Sequence, residues 1–394
     1  LNNHNMLLTN LEVYTDNGKI ENGYIKVVNG TITEVEDMDK LTNHEGFELI
    51  RLPDHSKAIP GMIDVHIHGV NGADTMDATK ESLQTIVTSL PSEGTTSFLA
   101  TTITQEQSSI ENALSNAGDF IKNQQSSGQA EILGVHLEGP FINRKRAGAQ
   151  PVEHVIDPNL ALFKKWQTIA NDTIKLVTLA PEKAGANALI NYLKESNVIA
   201  SIGHSDATLK EVDQAITAGL THVTHLFNQM REFHHREIGV VGAALLREEL
   251  ITEIIADGIH VEPEAIKLAY QQKTADRLLL ITDAMRAKCL KNGSYDLGGQ
   301  QVTVIDGKAT LADGTLAGSV LTMAQAFKNI ITFTNCEIED AIKMSSTTPA
   351  KELNVYNRKG SISTGKDADI VILDEQLDIT MTLCRGALAY KKEI

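Results

Sequence analysis

From Ile59 onward the chain alternates apolar runs of about four to eight residues with amphipathic stretches of about 10 to 15, the rhythm of βα units around a parallel sheet. Eight runs have the length and composition of buried strands: 62–66, 97–101, 132–137, 174–179, 198–202, 222–225, 251–256 and 278–281. Helical patterns fill the gaps, for example 80–90, 107–122, 186–195, 209–218 and 262–270. Gly94 and Gly219 stand just past two of them, where helices end. Eight such repeats predict a closed (β/α)8 TIM barrel. An open doubly wound sheet would need a glycine-rich phosphate turn after its first strand, and none follows here.

The flanks follow a different pattern. Residues 1–60 read as short β-strands, with Asn29-Gly30 a strong hairpin signal between alternating runs. Residues 361–394 return to short strands, so the two ends are expected to form a small β-sandwich beside a barrel spanning 61–360. Glycines and a β-rich run between 285 and 317 predict a β-flap inserted after the eighth strand, and helices are expected at 323–333 and 339–344. A formal net charge of -16 argues against a nucleic-acid partner. An anionic small substrate then needs a local cationic pocket. Cys289, Cys336 and Cys384 are too scattered for a zinc module and suit a reducing cytoplasm. The first ten residues lack a signal pattern and no apolar run reaches about 18 residues, so no membrane span is expected.

Polar residues recur at the carboxyl ends of the expected strands, the face where barrel active sites are built. The first strand ends in His66 and His68, which share a face at i and i+2. Alone, this pair fits a metal site or a strand end with two hydrogen-bonded histidines about equally. The third strand ends in His136-Leu-Glu138, the fifth in Gly203-His204, the sixth in Thr224-His225-Leu-Phe-Asn228, the seventh in Asp257-Gly-Ile-His260 and the eighth in Thr282-Asp283. Six coincidences at one face are hard to explain as separate buried core histidines. Glu138, His204 and His225 supply the ligand types of a catalytic zinc site. His66 and His68 could hold a second ion, bridged by Glu138. Such a centre makes hydroxide available at neutral pH and polarises a carbonyl. Asp283 is the natural proton shuttle, with a further metal ligand as its compatible alternative. His222 reads as packing.

The segments Pro60-Gly-Met-Ile-Asp-Val-His-Ile-His-Gly69, His136-Leu-Glu-Gly-Pro-Phe141, Gly203-His-Ser205, Thr224-His-Leu-Phe-Asn-Gln-Met230, Asp257-Gly-Ile-His260, Leu280-Ile-Thr-Asp-Ala-Met285 and Leu316-Ala-Gly-Ser319 together resemble the amidohydrolase superfamily. Within it, they are similar to the N-acetylglucosamine-6-phosphate deacetylase branch. The resemblance implies a metal-dependent hydrolase that removes the N-acetyl group of N-acetylglucosamine 6-phosphate. It implies Glu138, His204 and His225 as metal ligands, with Glu138 where many relatives carry a carbamylated lysine, and Asp283 as acid/base. Sugar-phosphate contacts fall on Asn228, the backbone amide of Gln229, and His260. Arg236 would reach the phosphate from the neighbouring subunit of a homodimer, with His234 and His235 nearby. Arginine suits phosphate through its two-pronged donor geometry. Arg231, Lys145 and Arg146 read as solvated loop charge. Many relatives have histidine where Gly148-Ala149-Gln150 ends, so Ala149 and Gln150 are placed at the sugar or its acetyl group. Both first-strand histidines are present, which favours two metal ions; zinc, iron, manganese and cobalt all fit the donor set. The alternatives are another amide hydrolase or deaminase of the superfamily, or a non-catalytic barrel.

Overall fold

The computed structural model describes residues 5–125 and 127–393; the first four residues and Ile394 of the expected terminal segments lie outside them. Met62–Ile67, Thr95–Thr102, Glu131–Glu138, Ile174–Leu179, Ile199–Ile202, His222–Val223, Ile251–Ile255 and Leu278–Ile281 lie side by side in chain order, each pair parallel. This is the expected (β/α)8 barrel. Its seam closes at the carboxyl end, where Asp283 N donates to His66 O (2.8 Å) and His68 N to Ala284 O (2.9 Å). Deeper in the seam, Thr282 Oγ1 donates to the buried Asp64 carboxylate at 2.5 Å.

Most helices pack outside through one apolar stripe, whereas Gly239–Leu246 is apolar all round and buries six consecutive residues. Gln107–Asn123 buries Ile110, Ala113, Leu114, Ala117 and Phe120, a helical spacing with polar residues opposite. Lys80–Ser89 runs into a 3-10 turn that stops at Gly94, whose φ of 79° is left-handed and suits glycine. The sixth strand is shorter than expected, with only His222 and Val223 paired to both neighbours. At His225 φ becomes 30°, and its backbone N–H turns to the Glu253 carboxylate instead of a strand carbonyl.

The two ends of the chain form one separate, continuous seven-stranded sheet. Its order is Ala387–Lys391, Ile379–Cys384, Ile370–Leu373, Glu48–Pro60, Met6–Thr15, Gly18–Val28 and Thr31–Asp37. The amino-terminal strands are longer than expected, at 10, 11, 7 and 13 residues, because each pairs over most of its length. Asn29 and Gly30 make the hairpin with positive φ at both positions (51° and 80°), as a type I′ turn requires. Leu8, Val13, Ile25, Ile32, Ile370 and Ile372 anchor a core separate from the barrel's. A third sheet, Gly293–Leu297, Gln300–Ile305 and Lys308–Thr310, forms a flap with its own small core around Leu297, Val302, Met285 and Ile103. Gln300 Nε2 ties it to Ala149 O at 2.6 Å, over the barrel's carboxyl face.

Candidate active site

The strands deliver their terminal side chains into a cavity of about 240 Å³ at that face. Its lining includes His68, Glu138, His204, His225 and Asp283, with His66 fully buried against them. Ala149, Gln150, Asn228, Gln229 and His260 line the same cavity, closed on one side by Leu297, Thr315 and Leu316 beside the flap. Thus every site residue expected from the sequence converges here except Arg236. That residue is exposed on the 231–237 loop, its Nη1 2.8 Å from His235 Nε2. Within one chain neither Arg236, His234 nor His235 reaches the cavity; only His260 of the expected anion cluster does.

Glu138 is the hub. Its Oε1 lies 3.2 Å from both His204 Nε2 and His225 Nε2, and those two nitrogens are themselves 3.2 Å apart. Three ligand atoms about 2.0–2.1 Å from a tetrahedral ion stand roughly 3.3–3.4 Å from one another, so this equilateral triangle is one face of such a site. The other oxygen, Oε2, lies 3.5 Å from His66 Nε2 and 3.2 Å from His68 Nε2, which are in turn 3.3 and 3.2 Å from Asp283 Oδ1. Each cluster's donor atoms fall within 4.8 Å.

The ring orientations fit a cation as well. His204 Nδ1 donates to Arg146 O (2.8 Å), His68 Nδ1 to Thr101 O (3.3 Å) and His66 Nδ1 to Glu253 (3.0 Å). Those bonds leave the Nε2 lone pairs aimed at the cluster, the arrangement outer partners impose on metal-ligating histidines. His66 Nε2 and His225 Nδ1 are buried without a hydrogen-bond partner among the described residues. The field points the same way. Burial opposes the charged form of His68, yet Asp283 and Glu138 raise it to about 10. Burial likewise opposes His66, and Asp283, Glu138 and Glu253 together hold it well above 6.5. A buried pocket that pulls protons onto its imidazoles selects a divalent cation for the same electrostatic reason.

Several of the converging residues carry unusual backbones, Gln229 (φ 50°) among them. His204, His225 and Asp283 have φ of 48°, 30° and 47°, a conformation that non-glycine residues adopt at a cost and that clusters at functional sites. Gln150 Oε1 accepts the Thr104 N–H at 2.8 Å, which leaves its amide NH2 as a donor for the cavity. His260 Nδ1 is held by Asp257 Oδ2 at 2.6 Å, freeing Nε2.

Some readings change. Arg146 and Arg231 are more than solvated loop charge, because both reach the buried carboxylate of Asp206 (2.8 and 3.2 Å); Lys145 also reaches it (2.7 Å) but stays on the loop surface as expected, 68% exposed. A loop read in isolation gives no sign of that acceptor, 60 residues from Arg146 and 25 from Arg231. His222 does more than pack: its ring lies between Glu253 (3.1 Å) and Glu352 (3.2 Å). Glu253 itself was missed, although a lone carboxylate inside Ile251–Ile255 is a detectable signal in an otherwise apolar barrel strand. His136 is core: Nδ1 donates to Val65 O (3.1 Å), Nε2 meets Thr178 Oγ1 (2.7 Å), and burial with its histidine neighbours lowers it to about 3.

Among known proteins, the family model described as "Amidohydrolase family" matches residues 58–389. The N-acetylglucosamine-6-phosphate deacetylase of Bacillus subtilis (strain 168) is 48% identical, over 98% of this chain and 97% of its own. The N-acetylgalactosamine-6-phosphate deacetylase of Escherichia coli O157:H7 is 35% identical over 95% and 97%. Among solved structures, the N-acetylglucosamine-6-phosphate deacetylase of Thermotoga maritima superposes with a TM-score of 0.88 at 34% identity, covering 98% of this chain and 100% of its own. A mutant of the Mycobacterium smegmatis enzyme, in complex with N-acetyl-D-glucosamine-6-phosphate, gives 0.91 at 29% over the same shares. No helix among the described residues is long and apolar enough to cross a membrane. With its barrel, its carboxyl-end histidine and carboxylate cluster and these relatives, the chain belongs to the amidohydrolase family.

Proposed function

We propose that the chain hydrolyses the N-acetyl amide of N-acetylglucosamine 6-phosphate to glucosamine 6-phosphate and acetate. The observation that carries this reading is the 3.2 Å triangle of Glu138, His204 and His225 opening onto a cavity that Asp283, Gln150 and His260 also line. Glu138, His204 and His225 would hold one divalent cation, and His66, His68 and Asp283 would hold a second; zinc, iron, manganese and cobalt suit these donors. A bound cation there supplies Lewis acidity and acidifies water.

The chain's own groups do the rest. Asp283 Oδ1 faces the His66 and His68 rings within the ligand set, so Oδ2 takes the proton of the attacking water and returns it to the departing amine. The Gln150 amide donates to the acetyl carbonyl, held in place by the Thr104 N–H. Asn228, the Gln229 amide and His260 Nε2 position the sugar phosphate. Arg236 completes the anion site of a neighbouring subunit in a homodimer. Its exposure outside its own cavity, beside Phe233 (57% exposed), supports that assignment. Three free cysteines accord with a cytoplasmic setting.

The test is acetate release from N-acetylglucosamine 6-phosphate by the purified, metal-analysed protein. Activity lost on chelation and restored by a divalent metal is expected, with two ions per chain at saturation. A metal-replete protein that releases no acetate from this substrate removes the assignment.

A further inference from the structure

Beneath the ligand cluster, the barrel interior holds a column of ionisable groups to which the proposed reaction assigns no step. Glu253 is fully buried in the middle of the seventh strand. Its Oε2 accepts from His66 Nδ1 at 3.0 Å and from the backbone N–H of His225 at 3.1 Å. Its Oε1 faces His222 Nε2 at 3.1 Å, and His222 Nδ1 lies 3.2 Å from Glu352 Oε1. Because His222 opens the sixth strand, the column runs from the cluster toward the strands' amino-terminal ends.

The position of Oε2 is unusual: one oxygen touches a member of each candidate ligand set. It fixes the tautomer and rotation of His66, so that Nε2 faces Glu138 and Asp283. It also pins the backbone at His225, where φ of 30° would otherwise be costly, and so aims that ring at Glu138 and His204. We propose that Glu253 is a positioning residue shared by both metal-ligand sets, held in place by His222 and Glu352, so that occupancy of the two sets depends on one buried carboxylate. This rests on the metal-binding reading above.

Zinc titrated calorimetrically into the metal-free full chain tests it, with the parent, Glu253→Leu and Glu253→Gln compared. Two ions are expected on the parent. Glu253→Leu should lose the set containing His66 and bind at the remaining set about 10–100-fold more weakly. Glu253→Gln should stay within a few-fold of the parent. Its carbonyl can occupy the Oε2 position and accept both bonds, while its amide donates to a neutral His222. A merely structural buried carboxylate would not show that rescue with loss at both sets. The proposal is overturned if Glu253→Leu keeps both affinities, if it weakens only one set, or if Glu253→Gln falls as far as Glu253→Leu. Should Glu253→Leu not fold, histidine ring-nitrogen NMR of the zinc-loaded parent decides: His66 protonated at Nδ1 and coordinated at Nε2 is expected, and the reverse tautomer overturns it. A parent that takes up no zinc sinks the metal reading and this inference together; two-site binding unaltered in the variants sinks this inference alone.

Discussion

His204, His225 and Asp283 sit in left-handed backbone that only their surroundings maintain. The clearest case is Asp283, whose N–H bonds His66 O while Ser319 N–H bonds its carbonyl, so the carboxylate is presented by two elements at once. Asp283→Asn keeps the shape and removes the proton acceptor. Turnover should fall by at least about 10²-fold, as loss of a general base does, while elemental analysis still finds the ion held by Glu138, His204 and His225. Retained turnover would remove Asp283 from proton transfer. Gly61 shows a different constraint. A Cβ there would lie 2.0 Å from Thr96 Oγ1 in the barrel wall, so the glycine of the Pro60-Gly61 pair is set by close approach, not by turn geometry. Gly61→Ala should cost about 1–3 kcal/mol through overpacking, read as a lower urea midpoint from the fluorescence of the single, buried Trp166.

Between elements, the barrel and the terminal sheet are joined by an ion network. Glu131, which opens the third barrel strand, meets Arg358 (2.7 Å) and the buried Lys359 (2.8 Å), and Lys359 also meets Asp369 at 2.5 Å. Burial alone would raise Glu131, but Arg358 and Lys359 outweigh it and bring its pKa from 4.5 to about 2. A folded-state pKa below the unfolded one stabilises the protein above pH 4.5, and that contribution disappears as pH falls toward 2. Discounted for the partial exposure of Arg358, it is about 2–3 kcal/mol. Urea midpoints measured from pH 6 down to pH 2.5 should therefore fall more steeply for the parent than for Glu131→Gln, which should start lower at pH 6. Parallel curves from equal starting points would show that the network contributes nothing. None of this was legible in sequence, because its members are spread from 131 to 369 and each reads alone as ordinary surface charge.

For the whole molecule, Arg236 poses the assembly question. If it serves a neighbour's cavity, mixing inactive Asp283→Asn subunits with Arg236→Ala subunits should regain activity. A mixed dimer then holds one cavity with its own Asp283 and a donated arginine. No recovery after subunit exchange, with dimers verified by native mass spectrometry, would place Arg236 within its own chain or outside function. Arg236→Ala alone should raise KM for the phosphorylated sugar far more than for the unphosphorylated one, since only the former carries the anion. The βα rhythm, the Asn29-Gly30 hairpin and the carboxyl-end positions of His66, His68, Glu138, His204, His225 and Asp283 follow from sequence, because strand periodicity and strand ends are local properties of the chain. The place of Glu138 between the two histidine pairs was also expected from the sequence, but tertiary structure alone decided that Arg146 and Arg231 spend their charge on Asp206. It alone also decided that Glu253 reaches both ligand sets, His66 across 187 residues and His225 across 28. Those depend on which strands become neighbours when the barrel closes, and no local pattern encodes that distance.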